Sequence, residues 1–188
     1  MRAQWEGRAM TFQDYLAAAD MNVPTMRENF LDFAIAPEHD AFFRALTDKL
    51  GPGAIVVLAI SESWCGDCVE NLPIMARLAS EYPVFLLRIY QRDTNLDIMD
   101  EYLTDGKRTI PIFVFYDRDG SEIGRFVERP QGAHEYLRQA RESLGHLPEG
   151  ERKKASLRVR SGLRALYRKG LRSETVSEIR AILEGRYG

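Results

Sequence analysis

Ala54-Ile55-Val56-Val57-Leu58-Ala59-Ile60-Ser61-Glu62-Ser63-Trp64-Cys65-Gly66-Asp67-Cys68 is the stretch on which the fold turns. Ala54 to Ile60 is apolar throughout and rich in β-branched side chains, as in a strand covered on both faces at the middle of an α/β sheet. Ser61 to Cys65 then leads into a helix predicted to reach about Ser80. Both cysteines of the chain therefore sit at a strand-to-helix junction. Cysteines two residues apart close almost no loop and cannot staple a fold. The spacing leaves a redox motif or half of a metal site.

Working outward, Val84 to Tyr90 is a second apolar run and a second central strand. Asp93 or Thr94 opens a helical stretch predicted to extend to Leu103. Ile112 to Tyr116 is a third strand, and Asp117-Arg118-Asp119-Gly120 is a hairpin turn into Glu122–Val127. Pro130 to Leu144 reads as a helix with Tyr136, Leu137 and Ala140 on one face. Upstream, Thr11 precedes Asp14 and Thr25 precedes Glu28 at capping-box spacing, so both are predicted helix N-termini. From Glu38 to Leu50, Phe42, Phe43, Leu46 and Leu50 mark an amphipathic face that Gly51-Pro52-Gly53 ends. From residue 38 the order is α-β-α-β-α-β-β-α. Helical crossovers followed by a hairpin give an α/β sandwich with a mixed sheet.

The 188 residues are 45% hydrophobic and 29% charged, the balance of a globular chain and not of a disordered one. No apolar run approaches the roughly 20 residues of a membrane span. The N-terminal MRAQWEGRAM is too polar for the apolar region of an export signal, so a cytoplasmic location is expected. Charge is unevenly placed: residues 1–148 hold 15 Lys+Arg against 23 Asp+Glu, and residues 149–188 hold 11 against 5. The basic tail follows a linker at 146–150. Leu157, Leu163, Leu166, Tyr167 and Leu171 form a helical stripe, broken at Gly170 or Arg172. Ser173 caps a last helix carrying Val176, Ile179, Ile182 and Leu183, so the tail reads as a helical hairpin. Its apolar stripe needs cover from the domain or from a second copy of the chain in a homodimer. Its basic face is a solvated surface by default, and with few aromatics it gives little support to nucleic-acid binding.

The junction favours thiol chemistry. A thiolate is the nucleophile that attacks a disulfide, and a free cysteine of pKa about 8.5 is mostly protonated at neutral pH. The N–H groups and positive dipole end of a helix N-terminus stabilise a thiolate. Cys65 in the first turn is then the nucleophile, and Cys68, one turn inward, is placed to resolve the mixed disulfide. His39, His134 and His146 are scattered and read as surface residues, so no metal site is expected. Asp117-x-Asp119-Gly120 lacks the remaining ligands of a calcium loop and is a turn.

These residues resemble those of the thioredoxin family. Trp64-Cys65-Gly66-Asp67-Cys68 matches the family's Trp-Cys-Gly-Pro-Cys except for Asp in place of Pro, and is similar to the Trp-Cys-Pro-Asp-Cys of related cytosolic proteins. Pro73 falls at the family's helix-kinking proline, and Ile110-Pro111 at its cis-proline. The resemblance covers residues 38–145. It implies a thioredoxin-like three-layer sandwich, a mixed central sheet flanked by helices, with helical extensions at both ends. The expected organisation is an N-terminal extension (1–37), the domain (38–147) and a basic C-terminal extension (148–188).

The resemblance also implies that Thr109, Ile110 and cis Pro111 turn beside the sulfurs, with the Ile110 backbone pairing with an extended substrate and Trp64 forming an apolar wall. It departs at Ala59, where the family has a buried acid, and near Leu86, where it has a paired lysine. Asp67 is then either a substitute proton handler or a carboxylate in water, and its charge should favour the neutral Cys65 thiol. The activity implied is reduction of protein or small-molecule disulfides through a redox-active Cys65–Cys68 pair with no other cofactor. A reductase or low-molecular-weight thiol would supply electrons. The competing reading is an interaction scaffold that binds partners through its helical extensions.

Overall fold

The computed structural model describes residues 3–188. After a short 3-10 helix at Ala3–Arg8, the elements are α1 (Phe12–Ala18), α2 (Val23–Asp32), α3 (Pro37–Leu50), β1 (Ile55–Ser61), α4 (Gly66–Glu81) and β2 (Phe85–Gln91). They continue with α5 (Leu96–Met99), β3 (Ile112–Tyr116), β4 (Glu122–Val127), α6 (Gln131–Gly145), α7 (Glu149–Leu166) and α8 (Arg172–Tyr187). The strands lie in the order β2-β1-β3-β4. β1 runs parallel to β2 and antiparallel to β3, and β3 and β4 form the antiparallel hairpin. This is the mixed sheet that the element order predicts.

Side chains alternate across a strand, so β1 feeds two apolar layers. Ile55, Val57 and Ala59 pack with residues of α3, α4 and α8, while Leu58 and Ile60 pack with Ile98 and Met99 of α5, with Tyr102 and with Trp5. The capping box on α1 forms as read: Thr11 Oγ1 accepts from the Asp14 N–H and the Asp14 carboxylate accepts from the Thr11 N–H.

Two helix boundaries differ from the sequence reading. Thr25 does not open a helix; α2 begins at Val23 behind Asn22, which takes a left-handed φ of 57°. Pro24 lies in that first turn, and its fixed φ suits the start of a helix. The stretch after Asp93 is helical only over Leu96–Met99. Asp105 (φ 50°) and Gly106 (φ 72°) instead centre a tight turn, in which Thr104 and Lys107 exchange both backbone hydrogen bonds. Asp-Gly is the sequence that a turn with two positive φ values demands.

The tail is not a self-contained hairpin. α7 packs on α6; a π-helical turn over Tyr167–Leu171, kinked at Gly170, then carries the chain into α8, which lies against β4, α4 and α3. Ser173 does not cap α8: the helix starts at Arg172 behind Leu171, and Ser173 lies inside it, where its carbonyl accepts from the Ser177 hydroxyl. Val176, Ile179 and Leu183 are fully buried in the main core. Their stripe is thus covered by the chain's own sheet and helices. His39 is also buried, not a surface residue, and meets Ser177 Oγ at 3.2 Å where α3 touches α8. Basic tail meets acidic body through Arg172–Glu70 and Arg186–Asp117. Among the described residues no helix is long and apolar enough to cross a membrane.

Candidate active site

β1 ends at Ser61, and four residues later Cys65 caps the N-terminus of α4 with extended backbone, its carbonyl accepting from the Val69 N–H. Its thiol is half-buried, whereas Cys68 in the first turn is wholly enclosed. The Glu62 N–H approaches Cys68 Sγ at 3.5 Å. Both residues are free thiols. Gly66 is exposed between them.

From the loop that leads into β3, the antiparallel neighbour of β1, Ile110–Pro111 enters through a cis peptide bond. The Ile110 carbonyl accepts from the Cys65 thiol at 3.6 Å. Ile110 and Pro111 are buried and Thr109 is half-buried. Trp64 is 45% exposed. Its ring is held by an indole N–H bond to Asp93 (3.2 Å) and by the Arg92 guanidinium 4.8 Å from the ring. The structure thus brings Trp64, Cys65, Cys68, Ile110 and Pro111 to one place, across a sequence gap of more than forty residues.

The two thiols are electrostatically unequal. Cys65 is held below the ordinary cysteine range, first by the hydrogen bond from the Cys68 thiol and then by the backbone N–H groups of Cys68 and Asp67. Burial of the thiol opposes this, and the Asp67 charge adds to the opposition. Burial pushes Cys68 well up, reinforced by Cys65, with the Ser61 hydroxyl and Glu62 N–H acting weakly the other way. One thiol is accessible and acidified; its neighbour is dry and holds its proton.

Asp67 does not sit in water. Its side chain is 14% exposed and pairs with Arg129 at 2.7 Å. Burial raises its own pKa, and Arg129 opposes that rise. Arg129 also pairs with Glu128. The Tyr167 hydroxyl reaches Asp67 at 3.5 Å and accepts from Asn71 at 2.9 Å. Asn71 in turn accepts from Thr175 at 2.8 Å. The turn before α8 and α8 itself are thereby tied to the cysteine helix.

Behind Cys68 the register places Ile89 beside Ala59 and Leu86 beside Val56, so no ion pair stands on these strand positions. A different carboxylate, Glu62, lies buried three residues before Cys65. Burial raises its pKa, and it accepts from the Asp93 N–H at 2.7 Å. Sequence reasoning missed Glu62, Arg129 and Tyr167. Arg129 and Tyr167 lie 62 and 100 residues from Asp67, and no spacing rule links them to it. Among the described residues no group of three or more His, Cys, Asp and Glu is placed to hold a metal.

Comparison with known proteins bears on the family and the fold. A thioredoxin family model matches residues 9–141. An H-type thioredoxin of Oryza sativa subsp. indica is 26% identical over 88 residues, 47% of this chain and 69% of that protein. Thioredoxin H7 of Arabidopsis thaliana is 29% identical over 96 residues, 50% of this chain and 71% of that protein. A crystal structure of a Pseudomonas aeruginosa protein of unknown function superposes with a TM-score of 0.70 at 19% identity, covering 94% of this chain and 93% of that one. That likeness extends over nearly the whole chain, and it is one of fold.

Proposed function

The chain belongs to the thioredoxin family, and from that premise we propose that it is a thiol–disulfide oxidoreductase working as a cytoplasmic reductant of disulfides. The observation that carries the reading is the inequality of the two thiols: Cys65 half-buried and acidified at the mouth of α4, Cys68 enclosed and protonated behind it. In the first step the Cys65 thiolate attacks a substrate sulfur, forms a mixed disulfide and expels the other substrate sulfur as a thiolate. Cys68 loses its proton and attacks Cys65 Sγ, which releases the second substrate thiol and leaves a Cys65–Cys68 disulfide. Each cycle moves two electrons and two protons from the protein dithiol to the substrate disulfide. A reductase or a low-molecular-weight thiol restores the dithiol.

The direction rests on Asp67. A couple is strongly oxidising when its reduced form is stabilised, and the Asp67 charge works against the Cys65 thiolate. Trp64, Ile110 and Pro111 line the approach to Cys65, with the Ile110 backbone available to an extended substrate. The test is the redox potential of the Cys65–Cys68 couple in thiol buffers, with Cys65→Ser as the control. We expect a value near the thioredoxin range of about −270 mV. A potential above about −200 mV would overturn the reductant role. Absence of a reversible couple would overturn the enzyme reading and leave a scaffold.

A further inference from the structure

The cysteine motif does not face open solvent on the side of the tail. Cys65 lines a cleft of about 630 Å3, walled by Leu137 and Arg141 of α6 and by Arg160, Leu163 and Arg164 of α7. These α7 residues recur at helical spacing and so share one face; Leu137 and Arg141 do the same on α6. Gly162 lets the two helices close: a Cβ there would collide with the Tyr136 hydroxyl, which donates to the Val159 carbonyl at 3.2 Å.

The charges in the cleft do not cancel. Its two carboxylates are already engaged, Asp67 with Arg129 and Glu70 with Arg172. Arg141, Arg160 and Arg164 are exposed, and among the described residues none has an ion pair or side-chain hydrogen bond. Arg164 is felt by Glu70 through space, but none of the three is bonded to a carboxylate, so three guanidinium groups with open N–H donors share a concavity with the reactive sulfur. Guanidinium is the side chain best matched to carboxylates, which it grips with two parallel N–H groups. The volume lies in the range that accepts a small molecule, about 300–1,000 Å3, and Trp64, Leu137 and Leu163 offer apolar surface between the charges.

The geometry points to a specificity site for low-molecular-weight disulfides bearing carboxylates, bound between the α6–α7 arginines and Cys65. This rests on the oxidoreductase reading and names its substrate class. The carboxylates of a compact peptidic disulfide sit on Arg141, Arg160 and Arg164, leaving its sulfur pair against Cys65. The Cys65 thiolate bonds to one sulfur and the other departs as a thiolate that takes up a proton. Cys68 then releases the second thiol, so one disulfide becomes two thiols as the protein dithiol becomes a disulfide.

The test is single-turnover oxidation of the reduced 188-residue chain, quenched with an alkylating reagent and read as loss of the protein's own thiols from its mass. The probes are dianionic glutathione disulfide, neutral hydroxyethyl disulfide and dicationic cystamine. Each is run on wild type and on Arg160→Glu/Arg164→Glu, at low and high salt. The wild-type to variant ratio for each probe cancels its intrinsic reactivity. Charge focusing in clefts changes rates by about 10- to 1,000-fold. We therefore expect a ratio of at least about tenfold for glutathione disulfide, near unity for hydroxyethyl disulfide and below unity for cystamine. The spread should shrink at high salt. Equal ratios for all three probes, with normal oxidation by the neutral one, would overturn the specificity site and leave the oxidoreductase intact. If no probe oxidises the dithiol, the redox reading fails with it.

Discussion

Asp67 stands where the family motif has proline, and what it does depends on its partners more than on its identity. Its charge favours the neutral Cys65 thiol, while the Arg129 ion pair mutes that charge. Asp67→Asn removes the negative charge, keeps the backbone N–H that favours the thiolate, and leaves Arg129 with less compensation. All of these favour the Cys65 thiolate, so its pKa falls further. The reduced state is thereby stabilised, and the couple becomes more oxidising. Thiolate ultraviolet absorbance against pH and the potential in thiol buffers should move together, the first to lower pH and the second upward. An unchanged titration would mean that Arg129 already neutralises Asp67. Most of this locale was legible in the sequence, because Trp64-Cys65-Gly66-Asp67-Cys68 is a local motif and Pro111 has a fixed order relative to it. Arg129 was not legible: it reaches Asp67 only after β4 and the left-handed Glu128 (φ 66°) turn the chain back.

At the scale of elements, the strands were easy to read and the helix ends were not. Ala54–Ile60 and Ile112–Tyr116 are continuous apolar runs, and Val84–Tyr90 is broken only at Arg88, which pairs with Glu6, since both faces of the sheet are covered. The boundary missed at Thr25 was decided by Pro24, a single-residue backbone constraint that outweighs a side-chain pattern, and after Asp93 the helix ends at Met99, ahead of the Asp105-Gly106 turn. The α6–α7 pair shows a third kind of information, a close approach visible only in three dimensions. Gly162→Val puts a branched side chain where Tyr136 lies. Tyr136 must then leave its place and its bond to Val159, and α7 lifts from α6. Overpacking of this kind costs about 1–3 kcal/mol, measurable as a lower urea midpoint at unchanged slope. Gly162→Ala would have the smaller cost, because alanine recovers about 1 kcal/mol of helix propensity.

For the whole molecule, the acidic body and basic tail were legible from composition, but their mutual fit was not. A charge count could not say that α8 would complete the core, nor that Arg172 would reach inward while Arg160 and Arg164 stayed out. Arg172 is the inward case: its side chain is 11% exposed, pairs with Glu70 (7% exposed) at 2.9 Å, and also donates to Asn29. Burial raises the Glu70 pKa, and Arg172 is the main force holding it down. Arg172→Met removes that force, leaves a carboxylate buried without its partner, and raises the Glu70 pKa further. Loss of one member of a buried pair costs about 3–5 kcal/mol. The sign with pH follows from proton binding. The variant's folded state holds a proton on Glu70 to higher pH than the unfolded chain does, so its stability falls as pH rises through that interval. The deficit relative to wild type is therefore largest at neutral pH and narrows on acidification, as Glu70 becomes a neutral acid in both proteins. Urea unfolding of the two proteins at pH 7 and at pH 5 measures this directly. A deficit that is the same at both values would place the role of Arg172 in packing its stem rather than in meeting the charge of Glu70.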